Sequence, residues 1–498
     1  MYNESTMSLL IKGVQIVDGE GSKPYKADVL VQRGVISAIG NLKKRETDIT
    51  IDGLGHYLTP GFIDVHTNAD HYLSLFTNPS GEDFPGQGIT TIIGGHCGSS
   101  LAPLIYGTLE SIRKWADPHD VNVDWHTVAE FLKSLEKVSL GVNFGTLVGH
   151  STIRRALVGG RSRLLQKELD VFKEMLGQAM SDGAFGFSTG LGYVHGKTAS
   201  KSELKGLVSV LADFDGVYAT HLRNETDKLT DSVDEVIEIS KSTGVRALIS
   251  HLMPIKKYEG KYDLAMENIE KKSREVYFDV YPYESTVRTI YTLLPDWAQV
   301  ENFEVMLERV RNKKTAALIA KDLKGISSLE IVISGAPHHE YLVGKTLREI
   351  ADNFKITTAR ALLHVMDVTD LRATVVYQNV SKKRLLGALV HNRAFIASHG
   401  SGVPTGEFMK HERSTNAFPE YLEMVVGGGK LELPEAVARI TSKPAQLFNI
   451  KKRGVIKEGN AADLVVLGKS DYQVKHVVVG GRVFGREPTK GEILRHKS

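Results

Sequence analysis

Five apolar, strand-like runs end on a side chain that can hold a metal ion or carry a proton. GFIDVH ends at His66, ITTIIGG leads into His96 and Cys97, VYATH ends at His221, ALISH at His251 and FIASH at His399. Imidazole and thiolate are good zinc ligands, and three protein ligands with one open position is the arrangement that catalyses. A single histidine or cysteine after an apolar run is usually a buried structural residue, and 18 histidines place one or two there by chance. Five such ends weigh instead for a shared metal. Cys97 is the only cysteine, so no internal disulfide forms, and its predicted role is that of a thiolate held deprotonated by the ion. His150 also ends a strand-like run, NFGTLVG. His338 and His339 are predicted at the surface or on a lid.

Residues so far apart meet only if the elements carrying them open in one direction. Between the chain ends, short apolar runs alternate with amphipathic segments such as LLQKELDVFKEMLGQAMSDG and TDSVDEVIEISKSTG. That alternation predicts an α/β class with a parallel sheet. Eight candidate strands fit a (β/α)8 TIM-like barrel, in which every strand points its C-terminal end at one mouth. A stretch near 287–375 is too long for a connection and reads as an insertion, a candidate lid. LLIKGVQIVDG and ADVLVQRGVISAIG at the start, and ADLVVLG and QVKHVVVGGRVFG at the end, read as hairpins that pair into one small module.

The 498 residues are 42% apolar and 24% charged, enough for a large core. The net charge of +3 is too small to imply a nucleic-acid or membrane partner. No run reaches the roughly 18 apolar residues of a membrane span. MYNESTMSLLIKG lacks the apolar stretch of a signal peptide, so a cytoplasmic location is expected. No phosphate loop is present, since GEGSKP lacks the spacing and the strand–helix context.

LTPGFIDVHTNAD, GQGITTIIGGHCGSSLAP, GAFGFSTGLGY, THLRNE, DVYPYEST, HERSTNAFPEYL and RGVIKEGNAADLVVL together resemble the amidohydrolase superfamily, specifically its D-aminoacylase branch. The resemblance covers nearly the whole chain. It implies a (β/α)8 barrel over residues 60–439, a small β-sandwich from both termini (1–59 and 440–498), and Zn2+. It assigns the tight zinc site to Cys97, His221 and His251. A second site would use His66, but Asn68 stands where the family has a histidine, His399 where it has an aspartate, and His96 where it has an asparagine. Asn68 offers a metal only a carbonyl oxygen, so one zinc is expected, with His96 a candidate substitute donor. His399 is the candidate catalytic base and a further candidate ligand, because a neutral imidazole can take a proton and return it.

Tyr193 is a candidate oxyanion donor. Arg223 is a candidate fork for a substrate carboxylate, or else a partner for Glu225. Tyr283 and Arg413 are candidates for the substrate wall, and Met253 stands where many relatives carry lysine. Asp64 and Asp70 are candidates to orient a ligand imidazole. The resemblance implies a zinc-dependent hydrolase that deacylates N-acyl-D-amino acids or related amides of D-residues. The alternatives are a cyclic-amide hydrolase, or a barrel that binds a small ligand without hydrolysing it.

Overall fold

The computed structural model describes residues 8–42, 45–107, 109–113, 115–158, 161–300, 302–323, 331–403 and 409–496. Residues 1–7, 43–44 and 497–498 of the expected terminal module, and residues 301 and 324–330 of the expected insertion, lie outside the described residues.

The chain opens on five strands: β1 (Ser8–Ile16), β2 (Tyr25–Gln32), β3 (Val35–Gly40), β4 (Ile49–Asp52) and β5 (His56–Pro60). A central series follows: β6 (Phe62–Asp64), β7 (Ile89–Gly94), β8 (Asn143–Thr146), β9 (Val148–Gly149), β10 (Gly186–Gly190), β11 (Val217–His221), β12 (Arg246–Ile249) and β13 (Val276–Val280). Then come β14 (Thr286–Thr289), β15 (Ile331–Gly335), β16 (Thr374–Tyr377) and β17 (Ala394–Ile396). The chain closes with β18 (Leu464–Gly468), β19 (Val474–Val479) and β20 (Arg482–Val483).

The central strands pair in two parallel sheets, β6-β7-β8 and β9-β10-β11-β12-β13-β17. Only Leu147 separates β8 from β9, so one interrupted strand serves both sheets. All residues of β7 and β10 are buried, as expected for parallel strands covered on both faces. The covering helices are amphipathic. Helix Gln166–Ser181, for example, buries Phe172, Leu176, Ala179 and Met180 along one stripe.

Among the described residues no strand pair joins β6 to β17, so strand pairing alone does not close the ring expected of a barrel. The two ends meet through bonds just past the strands instead. Ser398 N donates to the Asp64 carboxylate at 3.2 Å, His399 N to the His66 carbonyl at 3.1 Å, and Asn68 N to the Gly400 carbonyl at 2.8 Å.

Both chain ends share one eight-stranded sheet, ordered β20-β19-β18-β5-β1-β2-β3 with β4 also on β1. It has a core of its own that includes Leu9, Val29, Leu58, Leu464 and Val478. Asp463 fastens this sheet to the central strands. It accepts from Asn143 Nδ2 at 2.9 Å and from Gly480 N at 2.8 Å, and it pairs with buried Arg453.

Between β13 and β17 the chain builds a fourth sheet, β14-β16-β15, antiparallel, with helices Phe303–Arg311, Lys313–Asp322, Leu347–Phe354 and Thr358–Val368. It packs around Ile290, Tyr291, Ile333, Leu362 and Val375. Among the described residues, no helix is long and apolar enough to cross a membrane.

Candidate metal centre

Parallel strands joined by helices present their C-terminal ends on one side, which is where ligands bind in open α/β sheets. Here β7, β11 and β12 bring Cys97, His221 and His251 together, with one donor atom from each within 4.8 Å of the others. Cys97 Sγ lies 3.8 Å from His251 Nε2, which lies 2.9 Å from His221 Nδ1. Cys97, His251 and His399 all take left-handed backbone conformations, with φ of 52°, 37° and 49°. Such conformations cost of order 1–3 kcal/mol each and persist where the surroundings impose them, commonly at functional sites.

Glycines make the room. A Cβ on Gly192 would sit 2.6 Å from His221 Nε2, and one on Gly95 (φ 78°) would sit 2.2 Å from the Leu147 carbonyl oxygen. The GG before His96 and Cys97 is thus a steric requirement of the turn. A thiolate and two imidazoles around one point, with space kept clear beside them, fit a zinc ion.

A second group stands against the first. His66 Nδ1 lies 3.0 Å from Asp279 Oδ2, and His399 Nε2 lies 2.8 Å from Asp279 Oδ1, which also accepts from His251 N at 2.8 Å. The His66, Asp279 and His399 donors lie within 4.8 Å of one another. His66 Nε2 faces Cys97 Sγ at 3.7 Å and so borders both groups. Burial opposes the Asp279 charge, but His66 and His251 beside it hold the carboxyl below its usual range. Burial, followed by the nearby Arg413, keeps His399 well below the usual imidazole value and therefore neutral.

Sequence reasoning missed Asp279, because a mid-strand aspartate in YFDVYPY is masked by the apolar run around it. Glu225 was considered only as a partner for Arg223, and the structure places it elsewhere. Its carboxylate meets His251 Nδ1 at 2.9 Å and Arg288 Nη2 at 3.0 Å. Burial opposes its ionisation, but His221, His251 and Arg288 hold it well below the usual carboxylate range. Burial would likewise lower His251, but Glu225 and Cys97 override it and hold the imidazole well above its usual value. A carboxylate four residues past a strand-end histidine was the available signal.

Arg223 is a correction. Its guanidinium forks onto Glu235 at 2.9 and 3.1 Å and donates to the carbonyls of Lys197 and Ala199, so four of its five N–H groups are engaged away from the cleft. Tyr283 is another, since its hydroxyl donates to the Asn416 carbonyl at 3.3 Å and its ring packs on His411. Tyr281, two residues earlier, takes the wall position instead.

Asp70 does not orient an imidazole. It accepts from Gly95 N at 2.7 Å and so anchors the turn that carries Cys97. Asp64 accepts from the backbone of His66 and Ser398 and from the Ser398 hydroxyl, and burial pushes its carboxyl up to about 7. His96 stacks on His66 with ring centres 3.9 Å apart and joins neither donor group; burial lowers it to about 3. Asn68 donates through Nδ2 to the His399 carbonyl at 3.2 Å. His150 pairs with Glu203 at 2.8 Å, and neither His338 nor His339 lines the cleft.

The cleft over both groups is open to solvent and has a cavity volume of about 100 Å³. Tyr193, Met253, Asn68, His399 and Arg413 line it, and Thr286 to Thr289 of β14 form one wall. The Tyr193 ring lies 4.5 Å from the His221 ring. Arg413 lies 4.8 Å over the Tyr281 ring, within cation–π range, and its buried Nε has no hydrogen-bond partner.

Comparison with known proteins agrees with this geometry. The Amidohydrolase family matches residues 395–484. The chain is 29% identical to N-acyl-D-glutamate deacylase of Alcaligenes xylosoxydans xylosoxydans, over 99% of this chain and 97% of that one. It is 27% identical to the D-aminoacylase of the same organism, over 92% and 87%. The structure of N-acyl-D-glutamate deacylase from Bordetella bronchiseptica, complexed with zinc and a phosphonate mimic of the tetrahedral intermediate, superposes with a TM-score of 0.83 at 27% identity, covering 98% of this chain and 100% of that one. The chain is thus similar over nearly its full length to these deacylases, and its residues 395–484 match the amidohydrolase family. The D-hydantoinase of Thermus sp. shares the fold more distantly, with a TM-score of 0.54 at 16% identity.

Proposed function

We propose that the chain is a zinc-dependent deacylase of N-acyl-D-amino acids, with one zinc held by Cys97, His221 and His251. The observation that carries the reading is their convergence beside the Asp279–His399 pair at the floor of one cleft. The chemistry zinc supplies at such a donor set is Lewis acidity, which polarises an amide carbonyl and acidifies water. Glu225 bonds to His251 and Asp279 to His66, so each carboxylate fixes the ring it touches.

His399 is the proton carrier. Asp279 engages its Nε2, and the other ring nitrogen takes a proton from the attacking water and returns it to the leaving amide nitrogen. Oxygen bonds to the acyl carbon, the C–N bond breaks, and a carboxylate and a free amino acid leave. The Tyr193 hydroxyl donates to the oxygen that gains charge. Arg413 receives the substrate's α-carboxylate.

In this reading residues 60–439 form a (β/α)8 barrel with an insertion near 287–375, and residues 1–59 and 440–498 form a small β-sandwich. The hydrogen bonds between the His66–Asn68 and Ser398–Gly400 segments support ring closure, and the separate core around Leu58 and Leu464 supports the second unit. Substrates are small molecules, and a cytoplasmic location is proposed.

The test is hydrolysis of paired N-acetyl-D- and N-acetyl-L-amino acids by zinc-loaded protein, repeated after chelation. Release from the D-series that chelation abolishes is expected. Zinc-loaded protein that hydrolyses only cyclic amides, or nothing, overturns the reading.

A further inference from the structure

We infer that the cleft selects an uncharged substrate side chain, an inference that rests on the deacylase reading and narrows it. Among the described residues, the lysines and arginines that border the cleft and the lobe adjoining it at Arg413 are Arg288, Lys410 and Arg413. Two of the three already face carboxylates. Arg288 Nη2 lies 3.0 Å from Glu225 Oε2, and Lys410 Nζ reaches both oxygens of Asp83 at 2.7 and 2.9 Å. Arg413 has no carboxylate partner among the described residues, and its buried Nε makes no hydrogen bond.

An N-acyl amino acid brings one carboxylate, and one unengaged guanidinium is there to meet it. An acidic side chain would bring a second. Among the described residues it would find no free cation, and it would approach the Glu225 carboxylate, which already faces His251 and Arg288. The remaining wall is uncharged, combining apolar side chains such as Leu222, Met253 and Val287 with the hydroxyl-bearing Thr286, Thr292 and Thr374. A carboxylate moved against such a surface loses water without gaining a countercharge, and rejection by a misplaced charge is as effective a source of specificity as attraction. The β14 wall, which carries Val287 and Arg288, is therefore a specificity-determining element.

The test compares N-acetyl-D-methionine and N-acetyl-D-leucine with N-acetyl-D-glutamate and N-acetyl-D-aspartate, by kcat/KM and by calorimetric binding to the zinc-loaded protein. The uncharged pair is expected to be favoured by about 100-fold. Val287→Lys, which places an unengaged cation in the wall, is expected to shift the ratio toward glutamate by about 10-fold. Hydrolysis of the acidic substrates at equal or higher kcat/KM overturns the side-chain rule and leaves the reaction standing. A ratio that Val287→Lys leaves unchanged also overturns the rule. Binding that prefers the uncharged pair without hydrolysis upholds the rule and overturns the reaction. Absence of both binding and hydrolysis overturns both.

Discussion

The Oδ1 atom of Asp279 lies 2.8 Å from Nε2 of His399, deep enough that both side chains are almost sealed from solvent. A neutral base held by an ionised carboxylate keeps one tautomer and one orientation. Asp279→Asn retains the shape and removes the charge. Its expected effect is a fall in kcat of about 100-fold at full zinc occupancy, with a smaller change in KM. Steady-state kinetics on protein of measured zinc content checks this, and an unaltered kcat removes the dyad from the mechanism.

Cys97→Ser replaces the thiolate of the first donor group by a weak hydroxyl ligand. Zinc affinity is expected to fall by at least about 10-fold, read by competition with a chromophoric chelator. Zinc uptake equal to that of the parent would mean that the ion sits elsewhere.

Glu225 and Arg223 separate a carboxylate that touches a candidate ligand from a cation that does not touch the cleft. Glu225→Gln is expected to weaken zinc binding by about 10- to 100-fold, through the ring of His251. Arg223→Ala, which strands Glu235, is expected to lower the thermal midpoint while leaving KM unchanged at temperatures where the protein is folded. Calorimetric scans and initial rates distinguish the two, and a KM effect at Arg223 would restore it to the substrate wall.

Asp463→Ala leaves buried Arg453 with only the exposed Glu492 as a carboxylate neighbour and removes an acceptor of Asn143 and of Gly480. A loss of about 3–5 kcal/mol is expected, measured by denaturant unfolding. A loss within about 0.5 kcal/mol would show that the anchor is dispensable.

That Cys97, His221 and His251 meet at one mouth with His66 and His399 was legible because each follows an apolar run, and such runs in an alternating α/β pattern share a direction; their grouping as one donor set came from the family resemblance alone. Asp279 was not, because an aspartate inside a strand gives the same local signal whether it faces a site or a neighbouring backbone. Tyr281 and Tyr283 look interchangeable in DVYPYEST; only the bend after Val280 sends one to the cleft and the other to Asn416. The choice between Glu225 and Glu235 for Arg223 depended on how the loop after β11 turns back over its helix, which spacing alone does not contain. The segment near 287–375 was recognisable as extra length, but its contribution of Thr286 to Thr289 to the cleft was not, because an insertion carries no mark of where it docks.

The pairing of β5 with β18 sets an order of events during synthesis. The opening strands leave the ribosome first, yet one edge of β5 stays bare until the far end of the chain arrives to cover it. Nascent or prematurely stopped chains would therefore display an unpaired strand edge, the kind of surface that recruits other chains. Stop codons placed before Leu464 should yield aggregates rather than a smaller working enzyme.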